Sequence, residues 1–185
     1  GHTCSATWDE ESSIPEWIAT TWMPIQKVDD VDPDGDPVFR QQLDKMGLSG
    51  YSAEAIFSLS DDDLFKLLET LPLAYTKWLS TESVKKKELN KGLEAIADEQ
   101  ISEAKAIAQR MRRSIDCLRQ NKSALQAFRL ANRAMHRQMS WQNPDRPLVW
   151  RPFQLGFALL TLTSLVVRSQ DRDIMDLLWF PTGGG

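Results

Sequence analysis

Between Val84 and Met139 the apolar residues return at three- and four-residue steps. Leu89, Leu93, Ile96, Ala104, Ile107, Met111, Ile115 and Leu118 form one series, and Leu125, Phe128, Met135 and Met139 a second. That period belongs to α-helix with one buried stripe. Any fold for this chain must therefore bury one side of a long helical stretch. A break near Asn121 divides the stretch in two. The expected shape is a helical hairpin or arm, one stripe packed and the other wet.

The flanking segments have different patterns. From Thr3 to Val28 the strand formers Trp17, Ile18, Thr20, Thr21, Trp22 and Ile25, with Pro15 and Pro24 at the margins, predict β structure. Residues 29–37 (DDVDPDGDP) form an acidic, turn-rich loop. Its Asp spacing is like that of a calcium loop, but the terminal Glu is missing, so a solvated loop is the better reading. Ser60 predicts an N-cap with Asp61, Asp62 and Asp63 in the first turn, where the helix dipole favours negative charge. Leu64, Leu67, Leu68 and Leu71 share one face of that helix, and Pro72 is expected to end or kink it. After a loop with Pro144 and Pro147, Phe153 to Arg168 predicts a buried helix, and the apolar run from Ile174 to Phe180 a strand of the kind found inside a parallel sheet.

These segments divide into a β-containing region (1–50), a helical accessory region (51–145) and the start of a further domain (146–185). The expected fold is mostly α with a small N-terminal β part. The helical hairpin is followed by the first helix and strand of an α/β domain.

Charge is unevenly placed. Residues 1–104 hold 9 Lys/Arg against 21 Asp/Glu, while residues 105–137 hold 9 against 1, although the whole chain is only −4. A local basic face attracts polyanions whatever the overall charge. Two cysteines, Cys4 and Cys117, are too few for a secreted disulfide framework and suit a reducing compartment such as the cytoplasm. The longest apolar run, Phe157 to Val167, is about half the ~20 residues that a membrane span needs, so no membrane contact is expected.

The chemistry concentrates at the end. Asp176-Leu-Leu-Trp-Phe-Pro-Thr-Gly-Gly-Gly185 is an apolar strand feeding a glycine turn. Glycines let backbone N–H groups converge on a phosphate, and a Lys and a hydroxyl residue complete such a loop by meeting phosphate and Mg²⁺. The chain opens at Gly1-His2 without an initiator Met and closes one residue before that Lys would fall. It is therefore expected to be a piece of a longer protein, unable to hydrolyse ATP alone. Upstream, Arg151-Pro152-Phe153-Gln154 matches the R-P-x-Q element that superfamily-2 helicases carry ahead of the phosphate loop. A glutamine amide there can pair with the adenine edge. The bland reading of Gln154 is a helix-start residue beside a Pro at N1.

RPFQLGFALL and DRDIMDLLWFPTGGG, the opening Gly-His-Thr-Cys-Ser-Ala-Thr-Trp, and the stretch Ala127 to Met135 together resemble the helicase-domain proteins of DISARM-type bacterial anti-phage systems (DrmA-like). The resemblance is specific over residues 147–185 and loose between 30 and 105. Phe180 departs from the general helicase pattern, which has Ala or Gly there. What the resemblance implies is an ATP-driven motor on DNA, with ATP and Mg²⁺ as cofactors and other subunits of a defence complex as partners, built on a RecA-like helicase core truncated here. Gln154 would then recognise adenine, and Thr182, Gly183, Gly184 and Gly185 would cradle phosphates.

Two other readings come from the residues. Arg129, Arg133 and Arg137, four apart, share a helical face and could hold DNA phosphates in a DNA-binding arm. Their bland reading is a solvated face, or pairing with the acidic first half of the chain. The hairpin could equally be a non-enzymatic module that docks a partner protein. His2, Cys4, Cys117 and His136 match no zinc spacing, and Cys117 is expected at a helix interface. Tryptophans are more often core residues than base-stacking platforms; Trp141 and Trp150, which flank a loop, are the two to test for stacking.

Overall fold

A computed structural model of the chain describes residues 4–8, 15–20, 37–90 and 92–167, with Asp173 and Met175. It divides into two compact units, Gly1–Val31 and Asp32–Gly185. In the first, β1 (Cys4–Trp8) pairs antiparallel with β2 (Pro15–Thr20), Cys4 opposite Thr20 and Thr7 opposite Trp17. Pro15, which has no N–H for a ladder, takes the first position of its strand. The N-terminal β expectation holds over these two segments. The acidic loop at 29–36 lies outside the described residues.

The second unit is mostly helical. α1 (Pro37–Asp44) leads to β3 (Tyr51–Ser52) and the short α2 (Ala53–Ser58). The hydroxyl of Ser60 accepts from the backbone N–H of Asp63 at 3.2 Å and starts α3 (Asp61–Lys85), with the three aspartates in its first turn as the sequence predicts.

Pro72 neither ends nor replaces this helix; α3 runs through it for another thirteen residues. An internal proline costs about 3 kcal/mol. Against it stand Leu64, Leu67, Leu68 and Leu71, all buried on the preceding turns, at roughly 1.5–3 kcal/mol each. Pro72 is itself buried among them, so packing outweighs the lost backbone bond.

The hairpin is also composed differently from the sequence expectation. α3 is followed by a 3₁₀ turn (Lys86–Glu88) and by Gly92, whose φ of +97° only glycine adopts freely. The chain then reverses into α4 (Glu94–Gln120). Arg119–Glu69 (3.2 Å), Arg112–Thr76 (3.1 Å) and Lys86–Asp98 (2.6 Å) step in opposite directions along the two helices, so α3 and α4 are antiparallel partners. Leu89, Leu93 and Ile96, expected in the buried stripe, sit at the exposed tip of this hairpin. The α4 stripe becomes buried only from Ala108 through Met111 and Ile115 to Leu118.

α5 (Lys122–Gln142) leaves α4 at a single residue, Asn121, as the sequence predicts. It packs mainly against α2, not back along α4. The last described helix, α6 (Pro152–Val166), lies across α4 with Leu155, Leu159 and Leu162 buried. A Cβ on its Gly156 would rest 3.6 Å from Leu71 Cδ2 and 3.8 Å from Met111 Sδ. The hydroxyls of Ser114 and Thr163 bond at 2.6 Å across the α4–α6 seam. α6 therefore shares one hydrophobic core with α3 and α4. β4 (Val149–Trp150) pairs antiparallel with β3, Tyr51 opposite Trp150. Both sheets among the described residues are two-stranded and antiparallel. Of the strand expected from Ile174 to Phe180, Met175 alone is among the described residues; it is in no strand and is 93% exposed, unlike a position inside a buried parallel sheet. Among the described residues no helix is long and apolar enough to cross a membrane.

Tyr51 gives this core a pH signature. It is buried, bonded to Thr70 Oγ1 at 3.0 Å, and burial pushes its phenol up to about 12, with the Thr70 bond working the other way. The folded state therefore favours the protonated ring. Stability is intact below the unfolded phenol's pKa of about 10 and falls as pH rises from there towards about 12, by an amount on the order of 2 kcal/mol. Urea denaturation at about pH 9 and about pH 11 should show this drop in the native chain and a smaller one in Tyr51→Phe. Equal drops would mean that Tyr51 does not carry it.

Candidate functional site

Two sets of residues singled out by sequence lie in the described part of the helical unit. The first is α5. Between Lys122 and Gln142 there is no Asp or Glu, while Lys122, Arg129, Arg133 and Arg137 are basic. Asn121 begins this helix by accepting from Ala124 N–H through its side-chain oxygen at 3.0 Å. Leu125 and Asn132 face inward.

The three arginines four apart do not share one fate. Arg129 is turned into the fold: its guanidinium meets Asp61 at 2.7 Å and the Ile56 carbonyl at 3.3 Å, and its side chain is only 19% exposed. This is the pairing with the acidic first half that was the bland alternative. Arg133 and Arg137, one and two turns further on, are exposed, and their side chains have no ion pair or hydrogen bond among the described residues. Elsewhere in the basic run, Arg119 is held by Glu69, by Asp116 and over the Phe65 ring, and Arg112 by Thr76.

The second set surrounds Gln154. Arg151 precedes α6, Pro152 occupies its first position, and Gln154 is the third residue in. The Gln154 side-chain oxygen accepts from the Arg151 backbone N–H at 3.0 Å, so it fills the helix-start role. Its amide nitrogen has no partner among the described residues. Gln154 also lines a cleft of about 300 Å³ between α5 and α6, with Phe128, Met135, Trp150, Leu162 and Leu165. That volume is at the small end of ligand-sized clefts, and the lining is mostly apolar. Thr182, Gly183, Gly184 and Gly185 lie outside the described residues.

Asn132 was not singled out by sequence. Its amide donates to the Phe128 carbonyl at 2.9 Å and its oxygen accepts from Trp150 Nε1 at 2.8 Å. It therefore ties α5 to the strand that leads into Arg151. An Asn amid the inward face of an amphipathic helix is the signal that could have found it. Trp150 is thereby a structural anchor, and Trp141 is left in solvent.

Cys117 is half-buried against the core, as expected, and burial raises its thiol. The His136 ring packs edge-on to Phe57 with centroids 5.6 Å apart. Among the described residues no three His, Cys, Asp or Glu side chains are grouped to hold a metal ion.

The helical unit thus presents an acid-free basic helix beside a capped glutamine cleft. Over its whole length this chain is similar to the DISARM protein DrmA of Bacillus paralicheniformis: the two are 32% identical across 205 aligned positions, an alignment covering 100% of this chain and 18% of that protein. The chain spans about a fifth of the length of this relative. No family model matches it.

Proposed function

We propose that this chain is the accessory and lead-in region of an ATP-driven DNA translocase in a multi-protein antiviral defence system. The observation that carries the proposal is the whole-length similarity to the DISARM protein DrmA, in a chain with Arg151-Pro152-Phe153-Gln154 at the start of a core helix. In this reading the Gln154 amide reads the adenine of ATP. The glycine turn at Gly183–Gly185, with Thr182, holds phosphates and Mg²⁺ joins them. Arg133 and Arg137, exposed on a helix without acids, hold DNA phosphates, so DNA affinity falls steeply with salt.

Gln154→Glu separates the two roles of that side chain. Glutamate also accepts from the N-cap N–H and sits well in a first turn, so α6 keeps its cap. It cannot donate to an adenine ring nitrogen, and loss of one such bond costs about 1–3 kcal/mol. In the protein encoded by the complete gene, Gln154→Glu should raise the KM for ATP about tenfold or more, narrow the preference for ATP over GTP, and leave Tm unchanged. An unaltered ATP-to-GTP ratio would end the adenine-reading role. Absence of DNA-stimulated ATP turnover in the native protein would end the motor reading as a whole.

A second reading, the partner-docking module, is favoured by the exposed Val84, Leu89, Leu93 and Ile96 at the α3–α4 tip. Polar substitution of these four should then release a partner subunit while sparing turnover.

A further inference from the structure

Trp141 is 79% exposed. Of the other tryptophans in the helical unit whose side chains are described, Trp78 stacks on Tyr75 with centroids 5.6 Å apart, and Trp150 bonds Asn132. Trp141 has neither kind of contact among the described residues. Its place in the helix is informative. Arg133, Arg137 and Trp141 follow one another at four-residue steps on α5. Each step turns the position by about 40° and rises about 6 Å, so the three lie in one line along a single exposed arc. Leu130, also exposed, lies on the same arc. The arc holds no carboxylate, because α5 has none.

We propose that this line is a binding site for single-stranded nucleic acid, with Trp141 as a base-stacking platform and Arg133 and Arg137 on successive phosphates. The proposal rests on the α5–DNA contact argued above and adds the form of the strand. Two cations alone attract any polyanion. An indole face beside them is useful only where a base face is free to stack, and in a duplex every interior base face is already covered. The geometry suits this: the cations are a turn apart, the aromatic is a further turn along, and all three project from a helix fixed to the body by Arg129 and Asn132.

The test uses the chain with a labelled oligothymidylate of about 16 nucleotides and a blunt duplex of the same length, by fluorescence anisotropy at low salt. Trp141→Ala should weaken the single strand about tenfold or more and the duplex hardly at all, and Trp141→Phe should restore most of the loss. All the positions are exposed, so circular dichroism should be unchanged. Arg133→Glu with Arg137→Glu should weaken both ligands and flatten the salt dependence. If the arginine reversals abolish binding while Trp141→Ala leaves the single strand unaffected, the strand-specific site is overturned and the basic contact survives. If both variants bind like the native chain, the two proposals fall together, and Trp141 with its arc belongs to a protein partner instead.

Discussion

Truncating Leu159 to alanine should lower the free energy of unfolding by about 3 kcal/mol and move a single transition, with no early step. Leu159 is fully buried in α6, in one core cluster with Leu71 of α3 and Met111 of α4. Removing most of a leucine side chain there forfeits its transfer free energy and leaves a void that the surrounding leucines fill only in part. Leu67→Ala, in α3, should cost a similar amount in the same transition, because both residues belong to one cluster. Urea melts followed by far-ultraviolet circular dichroism measure this directly. A loss below about 1 kcal/mol, or α6 melting separately from the remaining helices, would mean that α6 is not held by this core.

The second large effect separates arginines that look equivalent in sequence. Arg129→Glu should destabilise the helical unit by about 2 kcal/mol, whereas reversing Arg133 and Arg137 together should change stability by no more than about 0.5 kcal/mol. Reversal at 129 places a carboxylate against Asp61 and leaves the Ile56 carbonyl without its donor. The site is partly screened because Asp61 is itself mostly exposed, which keeps the cost below that for a fully buried pair. DNA affinity should show the opposite order, large for 133 and 137 and small for 129 once folding is allowed for. Thermal melts together with anisotropy distinguish the two. Equal stability losses at all three positions would contradict the pairing described for Arg129.

Local chemistry was legible in the sequence, and distant pairing was not. Ser60 announces a helix start because a cap acts within three residues of itself, and the break near Asn121 falls where α4 gives way to α5. The core stripe of α4 was legible at Met111, Ile115 and Leu118, all buried, because their period is strict. Its expected continuation to Leu89 failed. Periodicity reports which positions share a face, not whether anything covers that face, and the α3–α4 turn leaves those positions at the tip. For a related reason, Pro72 does not end its helix. A proline's backbone cost is visible in sequence, but the burial that outweighs it depends on α4, whose contacting residues lie far along the chain.

The arginine stripe shows the same limit. Steps of four put Arg129, Arg133 and Arg137 on neighbouring turns, but only the fold brings Asp61 to the first of them. At Gln154 both readings used the same residue type. The structure supplies the cap bond and leaves one end of the amide unspent.

Asn121 closes α4 with its N–H on the Cys117 carbonyl and opens α5 with its side chain on Ala124 and its own carbonyl on Leu125 N–H. One residue thus serves two helix ends, and the joint has no slack. α5 acts as a stiff rod pivoted at that corner. A tilt of about 10° there would sweep Trp141 through roughly 5 Å, some twenty residues of helix away. Small adjustments of α4 would therefore reach the far end of α5 amplified, with the grip of α2 and the Arg129–Asp61 latch as the brake.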